Sequence, residues 1–269
     1  MKKSASTLNL LKQVQTSAES PPTVTFALAA RHFPLAGVGF GVTTLLTAVA
    51  SNLYHGHDIG GIPWPYISDT AKDPPQAGVF AFGMTMTCAA MIVIIVINYG
   101  KVKRELYLLE APSGHKRNKV ALVCGLLSCP SLGLLACFDT KRTPELHLYF
   151  VLAFFPCALV FLFMMTNVYA NMAQLSNHGG DNGGDKARYV SLRRSLWWKR
   201  CICVVFSVFV TLYLPVGMCL VSDWHVYAKD WQVHTFRAVC QHVSVLCLIV
   251  YFGTFYFDFG ETRMLLVQS

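Results

Sequence analysis

Charged residues are scarce in this sequence, and several long stretches have none. They make up 13% of the chain, against 54% hydrophobic residues, whereas a typical globular domain is about a quarter charged. An uncharged apolar run of about 18 or more residues indicates a transmembrane helix, because about 20 residues are needed to cross the hydrocarbon core. The composition therefore excludes an ordinary water-soluble domain.

Six apolar runs contain no Asp, Glu, Lys or Arg. Helices are the expected form, because unpaired backbone groups are very costly in lipid and a barrel would show alternating strands. We therefore predict an all-α fold, a polytopic membrane protein built as a six-transmembrane-helix bundle in a membrane domain at 34–257. The spans are predicted at Pro34–Tyr54, Val79–Tyr99, Val120–Phe138, Leu146–Ala170, Cys201–Val221 and Ala238–Phe257.

The basic residues outside these spans are distributed unevenly. The tails 1–33 and 258–269 and the loops 100–119 and 171–200 hold 17 Lys and Arg, whereas the other three loops hold 5. Because basic loops favour the cytosolic side, we predict that both tails are cytosolic and that the loop after the first span is lumenal. The preference for basic residues in cytosolic loops also explains the net charge of +8. We therefore expect membrane lipids, and no nucleic acid, as partners.

Signals for processing and glycosylation are also lacking. No Asn-x-Ser/Thr sequon occurs, so N-glycosylation is not expected. The polar stretch Ser4–Pro22 lacks the apolar core of a cleavable signal, so the first span is expected to act as an uncleaved signal. That stretch is expected to be disordered.

All ten cysteines lie within the predicted spans, so the loops carry no disulfide framework. Cys219 and Cys240 lie near lumenal helix ends, where an oxidising compartment permits a bond, and the sequence leaves that pairing open. Cys201 and Cys203 follow a basic, aromatic cluster, which makes them candidates for palmitoylation. Simple packing is the alternative for both.

Few strongly polar residues lie inside the predicted spans. Ion-coupled transporters usually keep ionisable residues at membrane depth, so their absence argues against that class. The last span carries the polar pair Gln241 and His242, about one turn from its lumenal end. Either it makes an interhelical hydrogen bond or it contributes to a lumenal pocket.

The first lumenal loop contains the most informative segment. Ser68, Asp69 and Thr70 are short polar side chains that favour a tight turn. Further along, Asp73 fits an N-cap, Pro74 the first helical position and Gln76 the reciprocal capping partner of the second span. Local structure alone thus explains much of this loop.

The run Pro65-Tyr66-Ile67-Ser68-Asp69-Thr70, followed by Pro74-Pro75 and Phe80, resembles the signature of the damage-regulated autophagy modulators (DRAM). The resemblance implies six spans and links the chain to relatives in GPI-anchor lipid remodelling and phosphoinositide regulation. Two positions depart from it. Ala71-Lys72 stands where the family often has Gly-Thr, and Gln241-His242 where it often has Glu-Trp, which removes an acidic group from the membrane.

Three function classes follow. The resemblance implies a non-enzymatic regulator of autophagy, of lysosomal function or of membrane lipids, in lysosomal or other endomembranes or in the plasma membrane. A lipid-remodelling enzyme of the GPI-anchor type is the alternative and needs an acid–base pair, for which Asp69 and His147 are the candidates. A transporter or channel is the third.

His55, His57 and Asp58 match no metal signature, so we predict no metal and no cofactor. The loop 171–200 is expected to be a solvated linker, with a protein-partner site as the alternative.

Overall fold

The structure, a computed structural model, describes residues 23–56, 61–176, 183–222, 226–227, 229–260 and 262–268. Six long helices cover most of this part of the chain, and all six are long and apolar enough to cross a membrane. They are α1 His32–His55, α2 Gln76–Leu108, α3 Pro112–Cys137, α4 Pro144–Ser176, α5 Gly183–Thr211 and α6 Trp231–Phe259. The predicted all-α fold with six spans is confirmed.

The helices extend well beyond the uncharged windows that predicted them. The α2 helix has 33 residues and is therefore about 50 Å long, whereas the hydrocarbon core is about 30 Å thick. Charged side chains are tolerated on a helix once it has left the hydrocarbon, so a charge marks the edge of the membrane and not the end of the helix.

The stretch 171–200 is not the loop that the sequence analysis predicted. The α4 helix continues to Ser176 and α5 begins at Gly183. Only 177–182 lie between them, outside the described residues. The prediction was wrong because it ended the spans at the first charged residues, whereas the helical backbone continues through them.

Each helix packs against the next along the chain, and α6 also packs against α1, which closes the ring. We call the end of the bundle that carries residues 61–75 the motif end. The opposite end, where α1 begins and α6 finishes, is the termini end. Aromatic side chains from α4, α5 and α6 fill the interior, among them Phe161, Phe206 and Tyr251, each at most 1% exposed.

Glycines permit the closest helix contacts. A Cβ atom at Gly37 would lie 3.4 Å from Ala90 on α2, and one at Gly41 would lie 3.4 Å from Ile249 on α6. The tightest approach is at Gly83 on α2, where a Cβ atom would overlap the side chain of Thr44. Gly37 and Gly41, four residues apart on α1, therefore both lie at helix interfaces, where small residues allow close approach.

The fifth span changes helical geometry near its motif end. A π-helical turn at Leu212–Val216 contains Pro215 and is followed by a last α-turn at Gly217–Leu220. Pro130 and Pro156 instead lie within α3 and α4. Pro215 is thus the interior proline that accompanies a change in helix type, and π-turns are frequent at functional sites.

Strands flank the helical bundle in sequence and form a separate compact unit. Strand β1, Thr23–Ala29, pairs antiparallel with β2, Arg263–Gln268, with an irregularity between Val24 and Phe26. The amide of Ala30 donates to the carbonyl of Thr262 at 2.9 Å and extends the pairing. This sheet was not predicted from the sequence. The stretch Ser4–Pro22 lies outside the described residues.

Candidate functional site

The motif Pro65–Thr70 forms a tight turn that leads into a 3-10 helix at Asp69–Ala71. The carbonyl of Tyr66 accepts hydrogen bonds from the amides of Asp69 at 3.0 Å and Thr70 at 3.3 Å. The hydroxyl of Thr70 donates to the carbonyl of Ile67 at 2.8 Å. The structure therefore contains the turn that the short polar side chains predict.

Most of the motif is buried. The side chains of Tyr66, Ile67, Asp69 and Thr70 are buried, those of Pro65 and Ser68 are half-buried, and those of Pro74 and Pro75 are exposed. Burial of a polar turn at the motif end means that its side chains must find partners on the helices. Those partners define the candidate site.

The start of α2 differs from the prediction. The helix begins at Gln76 and has no side-chain cap, so the predicted capping box is wrong. The Asp73 carboxylate instead forms an ion pair with the ammonium group of Lys141, 2.7 Å away. Lys141 lies in the loop between α3 and α4. The side chain of Gln76 is 1% exposed, and neither of its amide atoms has a hydrogen-bond partner among the described residues.

Gln241 on α6 holds the motif against the bundle. Its side-chain oxygen accepts a hydrogen bond from the amide of Ile67 at 2.9 Å, and its nitrogen donates to the Tyr213 hydroxyl at 3.1 Å. One buried amide therefore joins the motif, α6 and the π-turn. This supports the interhelical reading of the polar pair and places Gln241 within the site.

His242, the second member of the pair, lies under Trp64, with the two rings 5.5 Å apart. Its Nδ1 atom is 3.3 Å from Trp64 Nε1 and 2.8 Å from the carbonyl of Ala238. Nδ1 accepts from the indole in one tautomer and donates to the carbonyl in the other. The contact at Trp64 is half-exposed, so His242 lies at the rim of the site.

Asp69 occupies the centre of a polar cluster and is 2% exposed. Its Oδ1 atom accepts hydrogen bonds from the hydroxyls of Thr140 at 3.3 Å and Tyr227 at 3.4 Å. The Tyr227 ring packs 4.7 Å from His234, whose Nδ1 is 3.1 Å from the Tyr66 hydroxyl. Hydrogen bonds and one ring contact thus connect the Asp69 carboxylate to His234 on α6.

Both loop tyrosines of this cluster remain protonated. Burial raises the pKa of Tyr66, and burial together with the neighbouring Asp69 carboxylate raises the pKa of Tyr227. Loss of the phenol proton would place a second negative charge in a poorly hydrated site. The hydroxyl of Tyr227 therefore acts as a hydrogen-bond donor to Asp69.

His147 has a separate set of partners. Its Nδ1 atom lies 2.9 Å from the carbonyl of Leu135 and 2.7 Å from that of Phe138, at the C-terminal end of α3. The ring therefore satisfies carbonyls that the helix end leaves without partners. Within the described residues no hydrogen bond joins His147 to Asp69. The structure does not assemble them as the acid–base pair that the enzyme hypothesis requires.

Arg237 is the residue of this site that the sequence analysis missed. It is 5% exposed, and its guanidinium lies 5.8 Å from the Tyr66 ring centre and 5.7 Å from that of Tyr213. Arg237 was assigned to a loop because the apolar window begins at Ala238. The spacing of His234, Arg237 and Gln241 was the available signal, since intervals of three and four place them on one helix face.

A second buried cation lies at the termini end. Lys199, assigned to a cytosolic loop by the sequence analysis, is fully buried on α5. Its ammonium group lies 2.6 Å from the Asp258 carboxylate and 4.7 Å from the Tyr169 ring centre. Its spacing from Ser195 and that of Thr254 from Asp258 are both four residues. These intervals were the available signal for facing helix surfaces.

The cysteines are all free. No bond joins Cys219, which is exposed, to Cys240, which is buried. Of the palmitoylation candidates, Cys203 is buried and Cys201 is half-buried. Within the described residues, no three His, Cys, Asp or Glu side chains are placed to hold a metal ion. His57 and Asp58 lie outside the described residues.

Comparison with known proteins places the whole bundle in one sequence family. Residues 29–262 match the family described as the Frag1/DRAM/Sfk1/Cwh43P N-terminal domain. This range contains all six helices and every residue of the candidate site. No solved structure matches the chain.

Curated relatives match over most of their length. DNA damage-regulated autophagy modulator protein 1 of Homo sapiens is 26% identical over 207 residues, which cover 74% of this chain and 79% of the relative. DNA damage-regulated autophagy modulator protein 2 of Bos taurus is 23% identical over 208 residues, with 74% and 73% covered. Transmembrane protein 150A of Homo sapiens is 26% identical over 196 residues, with 73% and 62% covered.

Proposed function

The chain belongs to the Frag1/DRAM/Sfk1/Cwh43P family, and from this premise we propose that it is a non-enzymatic regulator of autophagy in lysosomal or other endomembranes. Its relatives supply the strongest support. The similarity to DNA damage-regulated autophagy modulator protein 1 covers about three quarters of both chains. The aligned region is long enough to include most of the helical bundle and is not limited to one motif.

The geometry of the candidate site supports a role without catalysis. Asp69 is surrounded by hydroxyl donors, and His147 bonds main-chain carbonyls at the end of a helix. The motif is attached through Gln241 to two helices. In this proposal the motif is a clamp that fixes the loops and helices of the motif end relative to one another.

The proposed topology places the motif end in the lumen and the termini end in the cytosol. The uneven distribution of Lys and Arg supports this orientation. On the cytosolic side, the half-exposed Trp197 and Trp198 of α5 lie at the level expected for interfacial aromatic residues. We propose that membrane lipids contact this surface and that any protein partner binds near it, within 171–200.

A lumenal lipid-remodelling activity is the second candidate function. The cluster at the motif favours it, because it places the Asp69 carboxylate, the His234 imidazole and two phenols near one another. Such groups are suited to proton transfer at a headgroup. This second function would use His234 in place of His147.

Deletion and rescue in cells test the proposed function. We expect deletion to change autophagic flux, measured by lysosomal turnover of an autophagosome marker. Re-expressed protein should restore the flux and should co-localise with endomembrane markers. Unchanged flux after deletion would contradict the proposal. Loss of a lipid product, rescued by native protein and not by a His234→Ala variant with normal localisation, would instead support the enzyme.

A further inference from the structure

We propose that Arg237 binds the phosphate group of a membrane lipid at the motif end of the bundle. The inference rests on the proposed membrane-regulator function and adds the lipid chemistry that the site recognises. It concerns a cation whose partners in the structure are weak, whose position is fixed by neighbouring backbone, and whose depth matches that of lipid headgroups.

Arg237 is buried, and its hydrogen-bond acceptors are neutral groups. Its Nε donates to the carbonyl of Tyr213 at 3.3 Å, and one terminal nitrogen donates to the Met218 sulfur at 2.9 Å. Within the described residues, no Asp or Glu lies within 4.0 Å of its guanidinium. Buried charges are nearly always paired, because removal of an ion from water is expensive. An anion is therefore the expected missing partner.

The backbone around Arg237 is shaped to receive its side chain. A Cβ atom at Gly217 would lie 2.8 Å from both Cγ and Nε of Arg237 and 2.7 Å from the carbonyl of Leu212. Only glycine therefore permits the arginine to lie against the end of the π-turn. The rings of Tyr66 and Tyr213 border the guanidinium and restrict its orientation.

Met218 occupies the position that an anion would take. A thioether sulfur is a weak hydrogen-bond acceptor, and methionine is a flexible side chain. Met218 is half-buried and lies next to the exposed Cys219, so it is near the surface of the bundle. A phosphate would exchange this weak contact for charge-assisted, bidentate bonds to the guanidinium.

The position of Arg237 along α6 favours a lipid phosphate over a free one. The helix starts at Trp231, six residues earlier, which places Arg237 about 9 Å along the axis. Trp231 is 45% exposed and Phe236 is 46% exposed, as expected for aromatic residues at the membrane interface. An arginine at this depth lies close to the phosphates of the adjacent leaflet.

Asp69 is the acidic group of the same cluster and acts against an incoming anion. Its amide donates to the carbonyl of Tyr66 at 3.0 Å, so it lies in the same turn as the ring that borders Arg237. Removal of that charge should therefore strengthen anion binding. The proposal therefore predicts tighter lipid binding when Asp69 loses its charge and weaker binding when Arg237 does. A variant that merely fails to fold would not bind more tightly.

The test is lipid binding by purified, full-length protein, measured by native mass spectrometry and by the shift in unfolding temperature. The probes are dioleoyl phosphatidic acid, dioleoylglycerol, which has the same tails and no phosphate, and inorganic phosphate. We expect native protein to bind phosphatidic acid and not dioleoylglycerol. Arg237→Met should weaken this binding by about tenfold or more, because the charge-assisted contact with the phosphate is lost.

Matched variants separate the site from general attraction to anionic lipid. Arg142 is exposed at the same end and pairs with Asp139, so Arg142→Met should bind like native protein. Asp69→Asn should bind more tightly, and Met218→Leu should retain binding. If Arg237→Met does not fold, Arg237→Lys retains the charge without the fork and should show intermediate affinity.

Three results would overturn the proposal. They are equal binding by native protein and Arg237→Met, equal binding of dioleoylglycerol and phosphatidic acid, and full protection by inorganic phosphate alone. The last would indicate a site for a free anion. Because binding is measured on purified protein, it can succeed or fail independently of the autophagic-flux experiment.

Discussion

The ammonium group of Lys199 lies 2.6 Å from the carboxylate of Asp258, and the two side chains are 0% and 4% exposed. The ammonium also donates to the hydroxyls of Ser195 at 2.9 Å and Thr254 at 2.6 Å. Its three hydrogens therefore each have an acceptor. This pair connects α5 to α6 at the end of the bundle opposite the motif.

Replacement of Lys199 by Met should lower the free energy of unfolding by about 3–5 kcal/mol, because it leaves a buried carboxylate without its cation. The double variant Lys199→Met with Asp258→Asn should recover most of that loss. Unfolding in detergent, followed by circular dichroism, measures both. The control is Lys141→Met, which breaks an exposed pair and should cost at most about 1 kcal/mol. Equal losses in the single and double variants would contradict the assignment.

Replacement by alanine at two glycines of α2 should change the stability of the protein in opposite directions. Gly83→Ala should destabilise the protein, because the new Cβ atom would lie 2.9 Å from the Thr44 Cβ and force α1 and α2 apart. Gly100→Ala meets nothing within 4 Å and should stabilise the helix by about 0.5–1 kcal/mol. Thermal unfolding of the two variants side by side is the measurement. A stable Gly83→Ala protein would show that the helix contact is looser than described.

His147→Ala should destabilise the end of α3 by about 1–3 kcal/mol, because the carbonyls of Leu135 and Phe138 lose their buried donor. Asp69→Asn keeps the shape of the side chain and should preserve folding and trafficking. Under the regulator proposal, neither variant should alter lipid composition in cells when expressed at equal level. Loss of one lipid product in both correctly localised variants would restore the enzyme hypothesis.

Gln241→Glu should supply Arg237 with an internal counter-ion. The two positions are one helix turn apart, so a carboxylate at 241 can pair with the guanidinium. We expect a higher unfolding temperature and weaker binding of phosphatidic acid than in native protein. Gln241→Met is the uncharged comparison and should be destabilised, because the Ile67 amide and the Tyr213 hydroxyl lose a partner. Undiminished lipid binding by Gln241→Glu would show that Arg237 is not the anion site.

If the juxtamembrane cysteines are acylated, Cys201 should carry the modification. Cys201 is half-buried, whereas the Cys203 side chain is 6% exposed and faces the bundle interior. Acyl exchange with a mass label should therefore lose signal in Cys201→Ser and retain it in Cys203→Ser. The reverse pattern would mean that α5 rotates or unwinds before modification.

The sequence predicts the number and approximate position of the spans because hydrocarbon leaves no alternative to uncharged helices. It predicts helix ends poorly, since charged residues such as Lys199 are permitted within a helix once a partner such as Asp258 is near. The helix therefore continues where the apolar run stops. Boundary residues, and not span centres, were the source of most errors.

The candidate site was only partly predictable. The turn at Ser68–Thr70 follows from local side-chain chemistry, and Gln241 was singled out as a polar residue in lipid. The contact of Arg237 with Tyr66 joins residues from distant parts of the chain, so no local pattern records it. His147 was singled out as a candidate base, whereas its main-chain partners depend on how α3 ends.

The pairing of β1 with β2 has a consequence for biogenesis. Strand β1 is synthesised before the first span, and β2 only after the sixth, so the pairing of the two strands cannot form until β2 has been translated. A truncated chain therefore exposes an unpaired β1 edge. Quality-control factors that bind such edges would have a means of separating finished molecules from unfinished ones.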